Sequence, residues 1–259
     1  MAVSLCLAGC PPASSSSPGR LTVVAGLMWR PRKVVATKTE TDRTDNWFDR
    51  MAIRHLSKSI QATTGMVNSK EGYESLVESA SSVAHRFSPK EQRELVIQAL
   101  HRAFPKPILS LAKILMPQHR LTRECFAIFT TIFFPWLVGP CEVKESEFGG
   151  RKERSTVHIK KCRFLESTNC VGMCINMCKM PTQKFINESL GMPVSMVPDF
   201  DDMSCELIFG QKPPEAEDDP ALKQPCYEGL CTHYRSKITF FLLFFFKKKK
   251  YLANNRPKS

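Results

Sequence analysis

From about Thr44 to Pro140 the apolar positions recur with a helical period. Phe48, Met51, Ala52 and Leu56 share one face of a helix that opens at Asn46-Trp47-Phe48. A second helix is predicted over 71–87, where Leu76, Val77, Ala80, Val83 and Ala84 stand at helical spacing. Ser88-Pro89-Lys90-Glu91 predicts the start of a third. Ser88 can accept from free N–H groups, Pro89 suits the first helical position, and Glu91 closes a capping box. That helix runs to about Phe104, where Pro105 and Pro107 stop it. A short apolar helix over 108–116 follows. The next, over 121–138, is apolar nearly all round from Cys125 onward, with Thr130 and Thr131 as interruptions and a kink expected at Pro135. Such a helix is either buried or in contact with lipid. It is also too short for a bilayer span.

After Pro140 the period changes to two. Residues 141–147 and 155–165 alternate and are joined by Phe148-Gly149-Gly150-Arg151, which predicts a β-hairpin. On that reading Val157, Ile159 and Lys161 face one way, and His158, Lys160 and Cys162 the other. Cys205–Phe209 is a further strand candidate. The fold class is α+β: a helical N-terminal half, then a cysteine-rich half with a β-hairpin and short helices.

Charge then sharpens the division into regions. The chain has a formal net charge of +12. Residues 1–39 hold five basic residues and no acid, and residues 232–259 hold eight basic residues and no acid. The body between them is nearly neutral, so the basic patch required of a nucleic-acid-binding domain is missing. Residues 1–43 are acid-poor and Ser-rich, with Ser14 to Ser17 in a row, and read as a disordered organelle transit peptide. No apolar core directly follows a charged start, which disfavours a secretory signal. Residues 44–140 are the helical region and 141–231 the cysteine-rich region. Residues 232–259 form an atypical low-complexity tail, with nine mostly Phe and Leu residues before Lys247-Lys248-Lys249-Lys250. Nine residues cannot span a bilayer, though they could dock on one.

Nine cysteines lie beyond the transit segment, seven of them after position 160. Cys170, Cys174 and Cys178 have the spacing C-x3-C-x3-C, which on a helix sets three thiols in one stripe. Thiolates in number favour zinc, copper(I) or iron–sulfur clusters, and spacing alone does not choose among them. Cys162 and Cys205 are the candidate further ligands, with Cys226, Cys231 and His158 behind them. No Gly-rich phosphate loop, nucleophile elbow or zincin motif appears, so hydrolase, kinase and dinucleotide readings lack support. A C-x-x-C redox motif is missing as well.

The stretches Trp136 to Val143, Val157 to Glu166, Asn169 to Cys174, Cys178 to Gln183 and Pro198 to Glu206 resemble the plant dwarf-phenotype β-carotene isomerase family. The resemblance covers about residues 44–231. It implies a plastid enzyme that converts all-trans- to 9-cis-β-carotene at the start of strigolactone synthesis. It also implies iron, mononuclear or in an iron–sulfur cluster, held by cysteines. A carotenoid substrate and contact with a plastid membrane surface are then expected, with Phe126, Phe129, Phe133, Phe134 and Trp136 as candidate walls of an apolar channel. The Phe/Lys-rich tail departs from the family, whose members continue with more polar sequence. The reading of another class is a non-enzymatic, metal-stabilised carotenoid-binding or assembly module, in which the cysteines staple a small α+β half.

Overall fold

A computed structural model describes residues 45–225, apart from Met116 and Gln118. The transit segment, the Phe/Lys-rich tail, Cys226 and Cys231 lie outside the described residues.

Helix α1 (Trp47–Thr64) begins at a capping box between Asn46 and Asp49. It buries Ile53 and Ile60, whereas Met51, expected on the inner face, is 54% exposed. The buried arc is therefore centred on Ile53. Helices α2 (Gly72–Arg86) and α3 (Pro89–Ala103) pack against α1. The Ser88–Glu91 capping box is formed as its sequence predicts, with the Ser88 N–H donating to Glu91 at 2.8 Å. Helix α4 (Lys106–Leu115) follows.

The stretch read as one kinked helix is two helices, α5 (Arg120–Phe133) and α6 (Pro135–Val138). Pro135 cannot donate a backbone hydrogen bond, so α5 ends before it and α6 starts on it. Nor is α5 central. It buries Phe126, Ala127 and Thr130, while Ile128, Phe129, Ile132 and Phe133 are 41–63% exposed.

The sheet is antiparallel in the order β1-β2-β4-β3. Strands β1 (Cys141–Phe148) and β2 (Arg151–Ile159) form the expected hairpin. Gly149 and Gly150 have φ of +57° and +75°, the left-handed pair that a two-residue turn of right-handed strands demands. The second strand differs from the sequence reading: it begins at Arg151 and stops at Ile159. Strand β3 (Val194–Pro198) had no clear sequence signal, and β4 (Cys205–Phe209) did. Helix α5 lies against β2 and is tied to it by Arg123, whose guanidinium donates to both oxygens of Glu153 at 2.7 and 2.9 Å. Gly210 makes room for that arginine: a Cβ there would sit 2.2 Å from the Arg123 Cδ.

Between β2 and β3 the chain forms α7 (Arg163–Thr168), α8 (Val171–Met173), a π-helical stretch Cys174–Lys179, and α9 (Met180–Leu190). Helix α4 rests on α9. Arg163 links three elements: it donates to Asp45 at 2.7 and 2.9 Å and to the Trp136 carbonyl at 2.9 Å, and lies over the Tyr73 ring at 3.8 Å. The Tyr73 hydroxyl donates to the Leu137 carbonyl at 2.8 Å, so α2 and α7 both grip α6.

Candidate metal centre

Four thiols from three segments line one cavity: Cys162, Cys174, Cys178 and Cys205. The local structure explains how each arrives. The strand expected to carry Cys162 has ended at Ile159, and Cys162 is the N-cap of α7, with its N–H donating to the Met203 carbonyl at 2.7 Å. Freed from strand alternation, it lines the same cavity as Ile159. His158 is the strand neighbour of Ile159, and successive strand side chains face opposite ways. It stands 3.4 Å from Glu206 and is not part of the cavity lining.

The thiol stripe is realised in part. Cys170 precedes the helix with an extended backbone (φ −141°, ψ 112°), is buried, and does not line the cavity. Cys174 and Cys178 are both in the π-helical stretch, where the wider turn brings residues four apart nearly above one another. Cys205 opens β4, opposite Ile159 on one side and Pro198 on the other.

Burial pushes all four thiols up from the usual value near 9, Cys178 to about 12. Mutual repulsion adds to this: a charge on Cys174 would be disfavoured by Cys178, Cys162 and Cys205. Backbone N–H groups of Leu165 and Phe164 partly offset the effect at Cys162. The Lys179 ammonium does so at Cys174 and Cys205. Lys179 is itself part of the cavity wall and is 2% exposed.

By donor chemistry the set fits a metal ion, since thiolates are strong ligands for iron and zinc and a bound cation reverses their preference for the protonated form. As the side chains stand they are not a closed coordination sphere: among the described residues no group of three or more His, Cys, Asp or Glu is placed to hold a metal.

The aromatic candidates fall into two groups. Phe126 faces inward and stacks on Phe209 at 5.6 Å. The other four form a row: Phe133 to Phe129 at 4.5 Å, Phe129 to Phe134 at 5.9 Å, and Phe134 to Trp136 at 6.3 Å. None of the five lines the thiol cavity, but Trp136 is in α6, whose last residue Val138 does. Sequence reasoning missed Lys179 and its partner Asp219. The first adjoins Cys178 and could have been noticed, whereas the second is 40 residues away with no local signal.

An α+β domain with a thiol-lined cavity defines the class. Residues 136–218, which hold the hairpin and all four thiols, match the family described as β-carotene isomerase D27-like, C-terminal. A relative from Medicago truncatula, named β-carotene isomerase D27, chloroplastic, is 58% identical over 221 residues, 84% of this chain and 87% of the relative. One of the same name from Arabidopsis thaliana is 53% identical over 186 residues, 71% of this chain and 70% of the relative. No solved structure matches the chain. The chain belongs to the β-carotene isomerase D27-like family, and the chloroplast location expected from residues 1–43 agrees with both relatives.

Proposed function

We propose that this protein is a chloroplast isomerase that converts all-trans-β-carotene to 9-cis-β-carotene on the route to strigolactones, with iron held by Cys162, Cys174, Cys178 and Cys205. The observation that carries the reading is the convergence of four thiols from three segments on one cavity. The names of two relatives supply the substrate.

A turnover near one per second allows a barrier of about 17 kcal/mol. A partly double C–N bond already costs about 20 kcal/mol to turn, and a full C=C bond costs more. Iron, when bound, supplies reversible one-electron exchange that lowers the bond order of a polyene with no net redox change, which zinc cannot do. The protein's own residues set the conditions. The apolar wall, with Leu165 and Met196 among it, excludes water, and Lys179 places a positive charge beside the sulfurs. The cavity is too small for a carotenoid, so in this reading the polyene meets the site from outside. The row Phe133, Phe129, Phe134 and Trp136 is the proposed approach. β-Carotene carries no polar group and resides in lipid, so contact with a plastid membrane surface belongs to this reading.

The test is incubation of the purified protein with all-trans-β-carotene, followed by isomer-resolved chromatography and metal analysis. The expected result is the 9-cis isomer together with protein-bound iron, and acid-labile sulfide analysis tells a cluster from a single ion. An unchanged isomer ratio in iron-loaded protein overturns the enzymatic reading in favour of a binding module.

A further inference from the structure

Among the described residues Lys179 is the sole charged side chain in the lining of the thiol cavity. Its ammonium donates to both carboxylate oxygens of Asp219, at 2.7 and 2.6 Å, and Asp219 is outside that lining. The positive end of the pair is the one the sulfurs feel: it eases negative charge at Cys174 and at Cys205. Two acids oppose it, Glu166 at Cys162 and Glu206 at Cys205. Their side chains are 31% and 41% exposed, so water and salt screen them, whereas Lys179 and Asp219 are each 3% exposed. Stability gives no reason to keep such a pair, because an apolar pair of similar volume often holds a core as well or better. Beside Asp219, the ammonium has as neighbours a set of thiols that turn negative when they ligate a metal.

Four thiolates around iron carry net negative charge, and one electron taken up by the iron adds one unit to it with no bond made or broken. A fixed cation in a medium of low dielectric favours the more negative state. We infer that Lys179, positioned by Asp219, holds up the reduction potential of iron bound by the four thiolates. The inference rests on the iron reading above and adds to it which oxidation state the protein's own charges favour.

Its test reads the potential and not the activity. The full chain is loaded with ferrous iron under anaerobic conditions and analysed for bound metal. It is then titrated with redox mediators while the sulfur-to-ferric charge-transfer absorption is followed. Wild type is compared with Lys179→Met, Asp219→Asn and the charge-free pair Lys179→Met/Asp219→Leu, each checked for folding by circular dichroism. Lys179→Met is expected to lower the potential by at least about 59 mV, a tenfold change in the ferric-to-ferrous ratio. Asp219→Asn leaves the ammonium without its counter-charge and is expected to raise the potential. A purely structural role predicts no such opposite signs. If the single variants unfold, the charge-free pair decides, with a potential below that of wild type expected. An unchanged potential in that pair, or shifts of one sign in both single variants, overturns the inference and leaves the iron reading standing. Absence of bound iron, or bound iron without the charge-transfer absorption, overturns the iron–thiolate reading itself and the inference with it.

Discussion

Lys179 donates to both carboxylate oxygens of Asp219, at 2.7 and 2.6 Å, and each side chain is 3% exposed. Asp219 also caps the 3₁₀ turn Pro220–Lys223 by accepting from the Ala221 N–H at 3.0 Å. The pair therefore closes the far end of the described chain onto the helix that carries Cys174 and Cys178. A buried ion pair is weak evidence for stability in itself, but removing one partner leaves an uncompensated charge in the interior.

Asp219→Ala strands the Lys179 ammonium beside the thiols. The expected loss is about 3–5 kcal/mol of folding stability, read as a fall in the urea midpoint. Lys179→Met combined with Asp219→Leu removes both charges, and a smaller loss is expected from it. Equal losses from the two variants would mean that packing, and not the unpaired charge, sets the cost.

Within C-x3-C-x3-C the structure separates cysteines that the spacing treats alike. Cys174→Ser is expected to lose bound iron and isomerase activity together. Cys170→Ser is expected to keep its iron, since Cys170 does not line the cavity. Metal analysis of the two purified variants distinguishes them, and equal iron loss in both would refute the four-thiol assignment.

The buried thiols make the stability of metal-free protein depend on pH. Each has its folded value raised from near 9, Cys178 to about 12. Above the unfolded value the folded state binds more protons than the unfolded chain. The contribution is therefore fully present below about pH 9 and is lost as pH rises toward 12. In the metal-free protein the urea midpoint should be lower at about pH 10 than at about pH 8. Metal binding runs the other way, because ligation releases protons, and iron affinity should rise with pH.

Gly210 combines a φ of +90° with the close passage of Arg123. Gly210→Ala meets both the strained backbone and the Arg123 Cδ, and a loss of about 2–3 kcal/mol is expected from thermal or urea unfolding. Arg123→Ala should not relieve it, since that change strands the buried Glu153 carboxylate, which is 4% exposed.

The helix starts at Asn46 and Ser88 were legible because each is bounded locally, whereas Pro135, read as a kink, breaks the helix in two. The hairpin was legible from its two glycines and its alternation. Met51 misled because a helical face read from period alone is ambiguous by one residue until the neighbours α2 and α3 choose the arc around Ile53. Cys162 misled because the alternation of 155–165 gives no sign that the strand stops at Ile159. Cys170 stands off the stripe because a stripe presumes helix throughout, and the helix starts one residue later.

The sequence by itself determined the helix starts at Asn46 and Ser88, the turn that joins β1 to β2, and a second half rich in thiols. These are effects of bonds and sterics within a few residues of each other. Which cysteines meet, that Lys179 faces Asp219, and that one side of α5 is left uncovered were decided by tertiary packing. Each depends on segments tens of residues apart arriving at one place, and no local pattern encodes that meeting.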